Sequence, residues 1–266
     1  MNDTPLKVER DGAVATLTLN APERRNGIVP ELIEAMLSAV AEIDADASIS
    51  CAILTGADPA FCAGGNLKGM YAREGVYGSG FDERKAFYVN GIQRLTLAMT
   101  SIKVPVIAAV NGPAIGAGLD FVTMCPIRIA SERASFAESF IKLGMISGDG
   151  GAWLLPRAIG DAAAAELTLT GDTIDAEAAR TLGIVSRVVP HENLVQTARD
   201  IAARIVRHPP QAVRGNLELL RASRRANLVE ALDMASTMHA RIQLTADHYE
   251  AISAAVEKRP PLYTGA

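Results

Sequence analysis

The chain of 266 residues has only three cysteines, Cys51, Cys62 and Cys125, odd in number and with no CxxC spacing. That pattern suggests neither a zinc site nor a disulfide framework, and it fits a reducing cytosol. Long apolar runs are missing too. Stretches such as Val104 to Val110 are far too short to cross a bilayer, and the polar segment Met1 to Glu9 lacks a signal-peptide core. Net charge is −4, with no Lys/Arg run long enough to line a polyanion groove, so nucleic acid is not expected as a partner. Aromatics make up only 5%, but hydrophobic residues reach 49%, enough to build a full core from Ala, Val, Ile and Leu. No repeat with a period of 20–50 residues is visible.

The apolar pattern that remains is informative. Val14 to Leu19 alternates as a strand does, and Ser50 to Thr55 and Val104 to Val110 read as buried strands. Pro30 to Ile43 carries Leu32, Ile33, Met36, Leu37, Val40 and Ile43 at helical spacing, with Pro30 suited to the first turn. Lys85 to Ser101 reads as one helix with Phe87, Ile92, Leu95 and Met99 toward the core, and Gly69 to Phe81, with its four glycines, as a mobile loop. Leu119 to Cys125 reads as an apolar helix, and Ile127 to Ala130 as a short strand. From about Ala162 the chain is nearly all helix, broken at Gly171, Gly183 and Pro209-Pro210, with a short strand at Ile184 to Val189. The expected fold class is α/β, divided into an α/β core over residues 1–200 and a helical region over 201–266.

Two segments share one design. Phe61-Cys-Ala-Gly-Gly-Asn66 follows the strand at Ile53, and Ile115-Gly-Ala-Gly-Leu-Asp120 follows the strand at Val106 and leads into a helix. Small residues at a helix start leave backbone N–H groups uncovered, and the helix dipole adds partial positive charge there. Two such amides from separate bends would form an oxyanion hole. Taken singly, each bend reads more readily as a tight turn with close strand–helix packing. A dinucleotide loop is disfavoured because Phe121 stands where the third glycine of GxGxxG belongs.

Phe61-Cys-Ala-Gly-Gly-Asn-Leu-Lys68 resembles the FxAGADIK motif of the enoyl-CoA hydratase/isomerase (crotonase) superfamily, and Ile107 to Asp120 resembles its AAVNGxAxGGGxE motif. The similarity continues in order through Leu167 to Gly171, Ala176 to Val185 and Glu257-Lys-Arg-Pro260. The resemblance implies a spiral of ββα units, a C-terminal helical trimerisation region, a homotrimer or dimer of trimers, and a cytoplasmic enzyme. It implies an acyl-CoA substrate, coenzyme A being part of that substrate, with no other cofactor and no metal. It places the oxyanion hole at the amides of Ala63 and Ala117, and substrate or CoA contacts at Ala63, Gly64, Gly65, Asn66, Lys68, Gly116 and Phe140. Asn66 stands where the family often has Asp, and Ala117 where it often has Gly. Lys68, Lys258 and Arg259 are candidate phosphate neighbours, or ordinary solvated cations.

The family's hydratases use two glutamates around one water. The first position falls on Asp120; the second falls on Phe140, which cannot move a proton. Asp149, in Ser147-Gly-Asp-Gly-Gly151, is a second catalytic candidate with an N-cap as its alternative. Glu138 reads as a solvated acid unless the stretch to Phe140 is extended. Hydration of a trans-2-enoyl-CoA is therefore the leading expectation. Isomerisation or other enolate chemistry is the second, and a non-catalytic acyl-CoA-binding relative the third. The four histidines, 191, 208, 239 and 248, read as surface or oligomer-contact residues, Ser139 and Ser147 lack a GxSxG context, Cys62 reads as a packing residue, and Trp153 reads as core or acyl pocket.

Overall fold

The computed structural model describes residues 4–265. A six-stranded sheet runs in the order β1 (Leu6–Asp11), β2 (Val14–Leu19), β3 (Cys51–Gly56), β4 (Val106–Val110), β6 (Ile127–Ser131) and β9 (Val188–Val189). Within this sheet only the β1–β2 hairpin is antiparallel; β2, β3, β4, β6 and β9 pair in parallel. A second sheet joins β5 (Ala114–Ile115), β7 (Ser135–Ala137) and β8 (Thr173–Asp175).

The alternating side chains of β3 and β4 explain why both read as unbroken apolar runs, for each strand is covered on both faces. Ala52, Leu54, Val106 and Ala108 pack with Leu32 and Met36 of α1 (Pro30–Ala45) and with Leu95 and Met99 of α4 (Ile92–Ser101). Cys51, Ile53, Ile107 and Ala109 face the other way, onto Leu194, Ala198 and Ala202 of α9 (Leu194–Ile205). A boundary at residue 200 would thus cut a helix that is part of the sheet's packing. Beyond it, α10 (Pro210–Ser223), α11 (Leu228–Gln243) and α12 (Ala246–Glu257) bury few apolar side chains, and Leu220, Leu228, Val229, Leu232 and Val256 are exposed.

The helix expected over Lys85–Ser101 is two helices, α3 (Phe81–Asn90) and α4, because Gly91 adopts φ −111 and ψ −108 between them. Ile92, Leu95 and Met99 are buried as expected. Phe87 is not a core residue; it sits on α3, which has no fully buried residue. The segment expected to be loop over Gly69–Phe81 contains the end of α2 (Leu67–Ala72) and a 3-10 turn at Gly75–Gly78. Gly171 and Gly183 do end helices, α7 (Asp161–Thr170) and α8 (Ala176–Leu182), in the left-handed conformation.

Candidate active site

The C-terminal ends of β3 and β4 deliver the two small-residue bends to one place. Cys62 and Ala114 form a parallel bridge. The Cys62 N–H donates to the Pro113 carbonyl at 3.1 Å, and the Ile115 N–H donates back to the Cys62 carbonyl at 3.0 Å. Two glycines make this approach possible. A Cβ on Gly118 would collide with the Cys62 carbonyl oxygen. One on Gly64, whose φ is +84, would lie 2.7 Å from the Ile115 oxygen.

The amide assignment drawn from the motif needs one correction. The Ala63 N–H is not free: it donates to the Arg25 carbonyl at 3.0 Å. Arg25 and Asn26 both have positive φ, and that reversal turns the Arg25 carbonyl toward the bend. The Gly65 N–H, two residues on, has no acceptor among the described residues, and neither does the Ala117 N–H at the start of α5 (Ala117–Met124). Gly65 and Ala117 both line a cleft of about 520 Å³, along with Ala63, Gly64, Asn66, Gly116, Phe140 and Asp149. The dipole of α5 adds to the Ala117 amide.

Asn66 caps α2 by accepting the Gly69 N–H at 3.1 Å. Phe140 stacks against Gly116, its Cζ 3.5 Å from where a Cβ on that glycine would be. Lys68 is exposed on α2 and does not line the cleft. Arg259 is held by Glu250 and Glu257 at 2.5 and 2.6 Å, so its guanidinium is already neutralised. Trp153 belongs neither to the core nor to the cleft lining: it is 39% exposed, with the Arg157 guanidinium 4.0 Å from its ring centre.

Acids gather beside the same cleft. Asp120 from the first turn of α5 is fully buried, and Asp149, in the loop before α6 (Gly151–Ile159), reaches the cleft. The Ser147 hydroxyl lies between them, 3.0 Å from Asp120 Oδ2 and 3.3 Å from Asp149 Oδ1, while accepting the Gly151 N–H at 2.9 Å. Ser147, not Asp149, therefore serves the first turn of α6. Side chains of α4 hold this loop: Gln93 Nε2 donates to the Gly148 carbonyl at 2.8 Å and Thr96 Oγ1 to the Asp149 carbonyl at 2.6 Å.

Glu138 is not the solvated acid that its sequence suggests. It is 1% exposed, because residues 139–143 form a 3-10 turn that sends Phe140 to the cleft and Glu138 inward. Among the described residues no cation pairs with any of the three carboxyls. Burial pushes Asp120 well above the usual carboxylate range, and the charges of Asp149 and Glu138 push it further. Burial, with the charge of Asp149, takes Glu138 up to about 8. Burial raises Asp149 as well, but hydrogen bonds from Asp120 and Ser147 oppose the rise. Burial and like charge thus favour the protonated form of Asp120, while the hydrogen bonds at Asp149 favour its anion.

Ser147, Gln93 and Thr96 were not singled out as site residues, since nothing in their local sequence announces them. His191, set aside as a surface residue, bridges Ser131 and Asp58 at 3.1 and 3.0 Å and tethers the start of the first bend.

A parallel α/β core thus brings two free amides and a buried carboxyl to one cleft. Residues 9–266 match the family model described as enoyl-CoA hydratase/isomerase. The chain is 35% identical over 257 residues to a probable enoyl-CoA hydratase of Mycobacterium bovis, covering 97% of this chain and 96% of that protein. It is 32% identical over 260 residues to the 2,3-dehydroadipyl-CoA hydratase of Escherichia coli, covering 98% of each. The crystal structure of an enoyl-CoA hydratase from Bacillus anthracis superposes with a TM-score of 0.93 at 32% identity, covering 98% of this chain and 100% of that one. The chain belongs to the enoyl-CoA hydratase/isomerase family of the crotonase superfamily, a family of enzymes.

Proposed function

We propose that the protein hydrates a 2-enoyl-CoA, with the thioester oxygen held between the N–H groups of Gly65 and Ala117. The observation that carries this reading is the pairing of those two unclaimed amides with a carboxyl, Asp149, on the same cleft. Water adds its oxygen to Cβ as Asp149 takes one of its protons. The electron pair of the double bond moves to the thioester oxygen, where the two amides stabilise the enolate. The protonated Asp149, backed by the Asp120 hydrogen bond, then returns a proton to Cα. A missing glutamate at position 140 is thereby replaced by Asp149 from a different segment, and Phe140 serves as an apolar wall.

One observation favours a second reading, an enoyl-CoA isomerase: Asp149 is the carboxyl that lines the cleft, whereas Asp120 lies behind it. A single base suffices to carry a proton between Cα and Cγ. Incubation with crotonyl-CoA and with a 3-enoyl-CoA, followed by mass analysis and by absorbance of the conjugated enoyl thioester, separates the two. Gain of one water from crotonyl-CoA supports hydration. A shifted double bond without mass change supports isomerisation, and no turnover of either rejects both.

The acyl group runs toward Met70, Tyr77, Phe87, Tyr88, Leu143 and Met145, which make the far wall of the cleft apolar. Lys68, exposed two residues beyond Asn66, is the cation we assign to a CoA phosphate. The uncovered leucines and valines of α10–α12 support a homotrimer or dimer of trimers, which light scattering of the purified protein tests directly.

A further inference from the structure

Glu138 has no part in the hydration scheme above, yet it is buried beside that scheme's acids with both carboxyl oxygens unpartnered among the described residues. Asp120 Oδ1 is unpartnered in the same way. The two groups open onto a common point. A Cβ placed on Gly151 would collide with Asp120 Oδ1 and lie 2.7 Å from Glu138 Oε1. Leaving these oxygens without donors in the interior is costly, and two bare negative charges there cost far more.

We propose that Glu138 is a positioning residue for the acid pair: as a neutral acid it donates to Asp120 Oδ1 and so keeps the Asp120 proton directed at Asp149. This rests on the reading that Asp149 is the base. The groups facing Glu138 are Asp120 of α5 and Asp149 of the loop before α6. Tyr88 of α3 and Cys62 of the first bend face Asp149 from other sides; both are shifted upward, Cys62 to about 12, and stay neutral over the working range. Once Glu138 loses its proton it becomes a second acceptor for the Asp120 hydroxyl. That hydroxyl then leaves Asp149, whose carboxylate loses the donor that keeps it ionised. The acid wall thus works below the Glu138 transition, near pH 8, and fails above it.

The test compares kcat/KM for crotonyl-CoA across pH in the wild type, Glu138→Gln and Glu138→Leu. In the wild type the rate falls about tenfold from one unit below to one unit above the transition. Glu138→Gln, which keeps an N–H donor that does not titrate, falls less than about twofold over the same range. Glu138→Leu, of similar size but without a donor, is slower than Glu138→Gln by about tenfold at every pH. An alkaline limb that persists unchanged in Glu138→Gln overturns the proposal, as does equal activity of the Gln and Leu variants. If neither variant folds, a carbon-13 titration of the wild-type carboxyls decides: a Glu138 midpoint near 8 supports the role, and one in the ordinary range near 4.5 ends it. That titration needs no turnover, so it also separates failure of this proposal from failure of the hydratase reading.

Discussion

On one wall of the cleft, two main-chain N–H groups come from bends stitched to each other by a parallel bridge. On the other, Asp149 reaches the cleft from the loop before α6, backed by two buried carboxyls, Asp120 of α5 and Glu138 at the start of a 3-10 turn. The first wall is made of backbone. Its partial charges are fixed, do not titrate, and need only that glycines permit close approach. The second wall is made of side chains whose charge depends on who holds which proton. A site of this kind has one half that is rigid in charge and one half that is adjustable, and variants of the two halves should behave differently.

The largest effect is expected at the adjustable wall. Asp149→Asn removes the cleft-facing base, and kcat for crotonyl-CoA hydration should fall by about 10³–10⁴-fold. A loss under tenfold would move the base elsewhere. At the rigid wall, Ala117→Pro deletes only an N–H, at the first position of a helix, where proline is well tolerated. Its kcat should fall by about 10²–10³-fold with the shape of the pH profile unchanged, whereas a near-native rate in a folded variant would remove Ala117 from the oxyanion hole. Asp120→Asn is milder. Asp120 is the protonated partner in the proposed scheme, so an amide donor can replace its hydroxyl, and a loss of about tenfold is expected. A loss equal to that of Asp149→Asn would mean that Asp120 itself exchanges protons with substrate.

The smallest effect concerns stability. Carboxyls whose pKa is raised by folding contribute their full share of stability below the ordinary carboxylate range and lose it as pH climbs through the raised value. For Glu138 that window runs from 4.5 to about 8. Melting temperature should therefore decline across this window in the wild type and decline less in Glu138→Gln. Identical slopes would mean that Glu138 is not charging in the folded protein.

The rigid wall was largely readable from the chain, because a buried strand followed by small residues is a local pattern. Val106–Val110 and the bend to Asp120 lie as the motif suggests. The exception, Ala63 against Gly65, has a remote cause: the Arg25 carbonyl, turned by two residues with positive φ, takes the Ala63 amide. The adjustable wall was readable only in part. Asp120 and Asp149 could be named from local position, but Glu138 could not, since its direction depends on a 3-10 turn where an extended stretch was one option. Ser147 and Thr96 matter only because separate segments meet. Trp153 shows the converse. An apolar ring suggested burial, and stacking with two arginines instead satisfies it at the surface.

Phe87 and Tyr88 sit on a helix that Gly91 sets off from α4, and that helix places no fully buried residue in the core. The stretch from Leu67 to Asn90 is therefore a lining laid over the sheet, touching the core chiefly through Tyr88. A change of residue along it would reshape the cleft lining while leaving the strand ends beneath in place.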